Sequence, residues 1–161
     1  MSGSAGGGTR VPGGVARLAC TMVLISCAGA RPAQLGLSAG GLAPCPASPN
    51  CVSSDAADSA YAIPPLDLAV APDQAWRAAR AALEGMPRTR VVTDTGSYLH
   101  AECTSAIFRF VDDLELQLRA GEGRIAMRSA SRLGYGDMGV NRRRAENLRA
   151  LLTREGILAP R

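Results

Sequence analysis

Between Tyr98 and Ser131 apolar residues recur at every second position. A chain with that pattern must build a sheet that hides one face, because successive strand side chains point to opposite sides. Leu99, Ala101 and Cys103 alternate with Tyr98, His100 and Glu102. Phe108, Phe110, Leu114, Leu116 and Leu118 share one parity, which predicts a long strand interrupted by Asp112-Asp113. After the turn at Gly121-Glu122-Gly123, Ile125, Met127 and Ser129 face inward while Arg128 faces out. Arg90 to Thr93 predicts a further short strand. The flanks change period. Trp76, Ala79, Leu83 and Met86 form a helical stripe opened by Pro72-Asp73 and closed by Gly85 and Pro87. Ala145, Leu148, Leu151 and Leu152 form a second, with Asn141 placed to cap it. Helix, about four strands, helix, with short connections, predicts a two-layer α+β domain: an antiparallel sheet with helices packed on one face. At 161 residues one domain is expected, and with only six aromatics its core must be largely aliphatic.

The start of the chain has another character. Arg10 and Arg17 precede a short apolar run, Leu18 to Ser26, with no acid before Asp55. Crossing a bilayer takes roughly 20 apolar residues, so this run suits the core of an export signal instead. Its end, Leu24-Ile25-Ser26-Cys27, resembles the lipobox of bacterial lipoproteins, in which the Cys takes a diacylglycerol and becomes the mature N-terminus. Residues 1–26 are thus expected to be a lipoprotein-type signal, Cys27 the lipidation site and residues 27–44, rich in Gly, Ala, Pro and Leu, a linker. The competing reading is ordinary cleavage after Ala28-Gly29-Ala30. With Ala28 rather than Asp after Cys27, the sorting rule of enteric lipoproteins implies the outer membrane, on its periplasmic side.

Export places Cys45, Cys51 and Cys103 in an oxidising compartment. Cys45 and Cys51 flank a Pro-punctuated loop, where a disulfide is preferred to two free thiols. One Cys pair and one His fall short of the four ligands of a structural zinc, and no metal or cofactor is expected. From Cys27 onward 16 Arg face 14 acids, a balance too even to imply nucleic acid. The excess is local: residues 123–161 hold nine Arg and three acids.

Three stretches together resemble one known family. They are Cys45-Pro46-Ala47-Ser48-Pro49-Asn50-Cys51-Val52-Ser53-Ser54, then Tyr98-Leu99-His100-Ala101-Glu102, and finally Phe110-Val111-Asp112-Asp113 with Arg128 through Arg144. The chain from Cys45 to its last helix is similar to the domain-of-unknown-function 1499 family, found in bacterial envelope proteins and some plastid proteins. The resemblance implies an exported α+β domain over residues 45–161 and brings no activity with it. Cys103 stands where the family pattern leads one to expect another residue, so no family role passes to it.

The candidate site gathers at the end of the sheet and the start of the last helix. Asn141-Arg142-Arg143-Arg144 puts three cations where the helix dipole prefers acids. Helix N–H groups with guanidinium forks suit a phosphate or carboxylate; alternatively Asp112, Asp113 or Asp137 pairs with these Arg in a buried network, the preferred reading. Asp112-Asp113 could do acid–base work or hold a cation, or mark a β-bulge whose acids satisfy Arg128 or Arg132. Ser129 and Ser131 lack a base in reach, since His100, the only His, sits on another strand. Gly134, Gly136 and Gly139 match a dinucleotide fingerprint literally, but no parallel strand follows. The expected ligand-binding set is Asp112, Asp113, Arg128, Ser129, Ser131, Arg132, Asp137, Asn141, Arg142 and Arg144. Its expected partner is an acidic protein or lipid headgroup beside the membrane anchor. The alternative is a hydrolase or metal-dependent enzyme using Asp112, Asp113, Asp137 and Arg128.

Overall fold

The computed structural model describes residues 29–160, together with Met1 and Gly3. Apart from Met1 and Gly3, the predicted signal lies outside the described residues, and so does Cys27. Four strands form an antiparallel meander: β5 (Thr89–Asp94), β6 (Tyr98–Thr104), β7 (Val111–Arg119) and β8 (Arg124–Ser131). A one-residue irregularity between Val91 and Thr93 shifts the register of β5 on β6. The outer edge of β8 is shared end to end by two short strands, β3 (Cys51–Ser53) and β4 (Leu66–Asp67). The sheet therefore has six strands rather than four. Strands of two or three residues between prolines carry no readable period, which is why the sequence does not announce them.

Helices α1 (Pro72–Gly85) and α2 (Val140–Arg154) pack on the same sheet face. Leu99, Ala101, Leu114, Leu116, Ile125 and Met127 meet Trp76, Ala79, Leu83, Leu148 and Leu152 in one buried cluster. The period-two and period-3.6 stripes thus close on each other. Each fully buried Leu contributes about 1.5–3 kcal/mol to that closure.

The long strand starts later than its parity suggests. Phe108 and Phe110 lie in the β6–β7 loop, exposed and stacked on each other with ring centroids 5.6 Å apart. Asp112 and Asp113 do not interrupt β7; both pair in regular register with β6 and β8, so no bulge marks them. Asn141 is not the cap of α2 but its second residue. Asp137 does the capping, its carboxylate accepting the backbone N–H of Gly139 at 2.9 Å and of Asn141 at 2.7 Å.

The opposite sheet face is also covered, giving a third layer that the sequence does not announce. Residues 31–44 of the stretch read as a linker form a strap across it, containing a small ribbon of β1 (Leu37–Ser38) and β2 (Gly41–Leu42). The strap is pinned by hydrogen bonds from Gly36 N–H to Glu115 and from Gln117 to the Gly40 carbonyl, both at 2.8 Å. Leu42 packs with Tyr98 and Ala126, and a Cys45–Cys51 disulfide ties the end of the strap to β3.

Candidate functional site

The expected site residues fall into two clusters on opposite sides of the sheet. Strand alternation is the cause: adjacent residues such as Asp112 and Asp113 must point to different faces.

The first cluster lies between sheet and α2. Arg144 donates to Asp112 at 2.5 Å and to Ser129 Oγ at 3.0 Å. Its Nη1 also reaches Asn141 Oδ1 at 2.6 Å, the atom that accepts Ser129 Oγ–H at 2.6 Å. Asn141 Nδ2 donates to Ser131 Oγ and to the Asn50 carbonyl, each at 2.9 Å. Asp112, Ser129, Ser131, Asn141 and Arg144 therefore converge, joined by Asn50, which sequence reasoning missed. Arg142 does not join them. It holds the carbonyls of Ala62 and Ala60, at 3.0 and 3.3 Å, and so fastens the loop after β3. Arg143 turns back to the Met138 carbonyl at 2.8 Å. The cations at the start of α2 are thus met by backbone carbonyls and one carboxylate.

The second cluster lies between sheet and strap. Arg132 forks onto Asp113 through Nε and Nη2, at 2.9 and 2.6 Å, and also reaches Glu102 at 2.7 Å. His100 Nε2 sits 2.7 Å from Asp113. Glu102 further receives Arg90 at 2.6 Å and the strap's Arg31 at 2.8 Å. Fully buried Glu115 accepts Arg128 at 2.7 Å and the Tyr98 hydroxyl at 2.8 Å, besides Gly36 N–H. Arg128, read as facing solvent, is buried here. Glu102, His100, Glu115 and Tyr98 escaped sequence reasoning because their polar parity normally marks a solvated face. The one clue was apolar Leu42 and Ala43 inside an aperiodic stretch, both buried against that face.

Electrostatics follows the geometry. Burial raises the Glu102 pKa, but hydrogen bonds from Arg31, Arg132 and Arg90 outweigh it and bring it down to about 2. Asp113 is likewise opposed by burial, yet Arg132 and His100 hold it below the usual carboxylate range. Tyr98 is pushed upward by burial first and then by the Glu115 charge. A carboxylate with a depressed folded pKa contributes stability above its unfolded pKa and loses it as pH falls toward the folded one. The contribution of Glu102 should be complete above its ordinary 4.5 and drain as pH drops toward about 2. Thermal melts between those values should show the midpoint falling, and Glu102→Gln should flatten that slope. An unchanged slope would show that the pairing carries no stability.

This arrangement limits the chemistry. Ser129 and Ser131 are bound into the Asn141 network, with His100 across the sheet from them. Cys103 is a buried free thiol whose pKa burial raises, the reverse of what a nucleophilic thiolate needs. Among the described residues no three His, Cys, Asp or Glu side chains gather as metal ligands would. Asp112 and Asp137 lie on the helix side, whereas Asp113 and Arg128 lie on the strap side. The enzyme reading, which needs them together, has no geometric support.

A family model described as a protein of unknown function, DUF1499, matches residues 41–152. The chain belongs to this family. The DUF1499 match runs from β2 to near the end of α2 and takes in most of both clusters, while the first part of the strap, with Arg31, Gly36 and Gly40, lies outside it. It starts within the strap, four residues ahead of the boundary at Cys45 expected from the sequence. No curated protein and no solved structure matches the chain.

Proposed function

We propose that this DUF1499 domain is an exported, lipid-anchored envelope module, held with one end against the membrane by Cys27 and binding rather than catalysing. The observation that carries this reading is the position of Gly29. Gly29, two residues after Cys27, lies against Leu133: a Cβ built on Gly29 would come within 3.0 Å of the Leu133 side chain. Leu133 belongs to the β8–α2 loop, which leaves the sheet at the same end as the β6–β7 loop. That end presents Ile107, Phe108, Tyr135 and Met138 to solvent, the last two 76% and 91% exposed. Large apolar side chains clustered outside the core mark a contact surface. A tether of two residues allows only about 7 Å of reach, so a lipid on Cys27 would draw this apolar end into the headgroup region. Exposed Arg88, Arg109 and Arg143 at that end suit anionic headgroups. Among the described residues no helix is long and apolar enough to cross a membrane. Ala28 after Cys27 favours the outer membrane.

The full chain, expressed with its own leader in a bacterial host, tests this. The mature protein should begin at a diacylglyceryl-modified Cys27 by mass spectrometry and fractionate with membranes, and Cys27→Ser should release it. In Phe108→Ser/Tyr135→Ser/Met138→Ser the lipid should still hold the protein, while amides of residues 105–110 and 132–139 lose their vesicle-dependent hydrogen-exchange protection. An unmodified mature chain starting at Arg31 would overturn the anchoring.

A further inference from the structure

A cavity of about 410 Å³ opens where the turn after α1, the end of β6 and the first turn of α2 meet. Its lining holds three arginines, Arg88, Arg143 and Arg144, and no acid. Arg144 is already satisfied: Asp112 takes its Nη2, while Ser129 and Asn141 take its Nη1. Arg88 and Arg143 are exposed, and each donates one N–H to a backbone carbonyl. Arg88 Nε reaches Thr104 at 3.2 Å, and Arg143 Nη1 reaches Met138 at 2.8 Å. Among the described residues neither guanidinium meets a carboxylate, so two positive charges of the lining stand uncompensated.

Arg88 is fixed rather than loose. Its backbone lies in the left-handed region, at φ 55°, which side chains rarely adopt. Its carbonyl accepts the Thr104 N–H at 2.9 Å, and its Nε–H returns to the Thr104 carbonyl. Two bonds to one residue set where the guanidinium emerges and leave Nη1 and Nη2 for a ligand. Ser105 lines the same cavity. Its Oγ accepts the Phe110 N–H at 2.9 Å, and its own O–H remains to donate. The N–H groups at the start of α2 are not part of this set, because Asp137 takes those of Gly139 and Asn141.

Two guanidiniums and a hydroxyl, with no acid among them, fit an anion that presents several oxygens to more than one donor. A phosphate group does this, and guanidinium forks match its geometry. We infer that this cavity seats the phosphate of a lipid headgroup between Arg88 and Arg143. Lipid is favoured over a free phosphate by where the lining leads. Ser105 and Ala106 run directly into Ile107 and Phe108, which are exposed at the apolar end. A lipid whose phosphate sits in the cavity would send its acyl chains over those two side chains. A cavity of this size also has room for the glycerol beside the phosphate. The lipid source rests on the membrane reading above, whereas the seat for a phosphate does not. Arg109 is exposed at the same end but lies outside the lining, and supplies only general attraction.

Calorimetric titration of the full chain carrying Cys27→Ser tests this. That chain has no lipid of its own, so the result is separate from the fate of the anchor. The probes are dihexanoyl phosphatidate, dihexanoyl phosphatidylcholine, whose phosphate charge is cancelled by choline, and glycerol 3-phosphate, which has no acyl chains. Phosphatidate should bind about tenfold or more tighter than either of the others. Arg88→Gln and Arg143→Gln should each weaken it about tenfold, the loss expected for hydrogen bonds to a charged group. Asn147→Glu places an acid in the lining from an exposed helix position and should abolish binding while circular dichroism stays native. Arg109→Gln should leave the affinity within about twofold, since screened surface charge acts weakly. Absence of binding by all three probes overturns the site. Equal losses from Arg109→Gln and Arg88→Gln would reduce it to diffuse charge. Phosphatidylcholine binding as tightly as phosphatidate would mean that acyl chains alone are held. Glycerol 3-phosphate binding as tightly would replace the lipid with a water-soluble phosphate and overturn the assignment of its source.

Discussion

Arg132→Ala is expected to lower the unfolding free energy by about 3–5 kcal/mol, the range for removing one partner of a buried ion pair. Arg132 is the cation shared by two carboxylates, and its side chain is only 5% exposed. Without it Asp113, 2% exposed, retains only His100, and Glu102 keeps only Arg90 and Arg31 at the rim. The cost is that of a stranded charge in a poorly solvated place, larger than the net worth of the pair. Arg90→Ala provides the contrast. It removes another guanidinium from the same Glu102, but Arg90 is 71% exposed, and such pairs contribute about 0–1 kcal/mol. Urea unfolding of both variants, with Arg132→Ala/Asp113→Asn as partial rescue, reads the difference. Equal losses for Arg132→Ala and Arg90→Ala would mean that the strap does not seal this face.

Asn141→Ala should cost about 3 kcal/mol, because it orphans several buried groups at once and each costs about 1–3 kcal/mol. A side-chain amide has two donor hydrogens and a two-lone-pair acceptor, and Asn141 uses all of them: Asn50 and Ser131 on the donor side, Ser129 and Arg144 on the acceptor side. Its side chain joins α2, β8 and the Cys45–Cys51 loop in one set of contacts. Asn141→Asp keeps the acceptors for Ser129 and Arg144 but turns a carboxylate toward the Asn50 carbonyl, so it should recover only part of the loss. Hydrogen exchange at Cys51 to Ser53 should rise in both variants. A loss confined to the amides of α2 would show that the loop does not depend on this side chain.

The same alternation that revealed the fold concealed half of its polar chemistry. Leu99, Ala101, Leu114, Leu116, Ile125 and Met127 could be assigned to the helix-covered face from spacing alone, because only a sheet makes that pattern cohere. Pro72 and the stripe from Trp76 to Leu83 fixed α1 in the same way. His100, Glu102, Glu115 and Arg128 occupy the complementary parity, which ordinarily means water. That they are covered depends on residues 31–46, whose Gly, Pro and Ala follow no period, and on contacts spanning some 80 positions, such as Gly36 with Glu115. Local pattern cannot report a long-range lid. The convergence of Asp112 with Arg144 was within reach, because each sits at the end of a legible element. The separation of Asp112 from Asp113 followed from alternation once the strand proved continuous.

That lid also sets a timetable for assembly. The strap is made first, yet the groups that hold it, Glu115 and Gln117, come nearly 80 residues later. Contacts so distant in sequence must first meet a loop-closure entropy, and the strap can dock only where β6, β7 and β8 have brought Tyr98, Glu115, Gln117 and Ala126 together. Until it docks, the charged face stays hydrated and its ion pairs remain weak. The final step of folding is then a drying of that face, and a chain stalled before it would carry a complete helical core beside an open, wet row of acids and arginines.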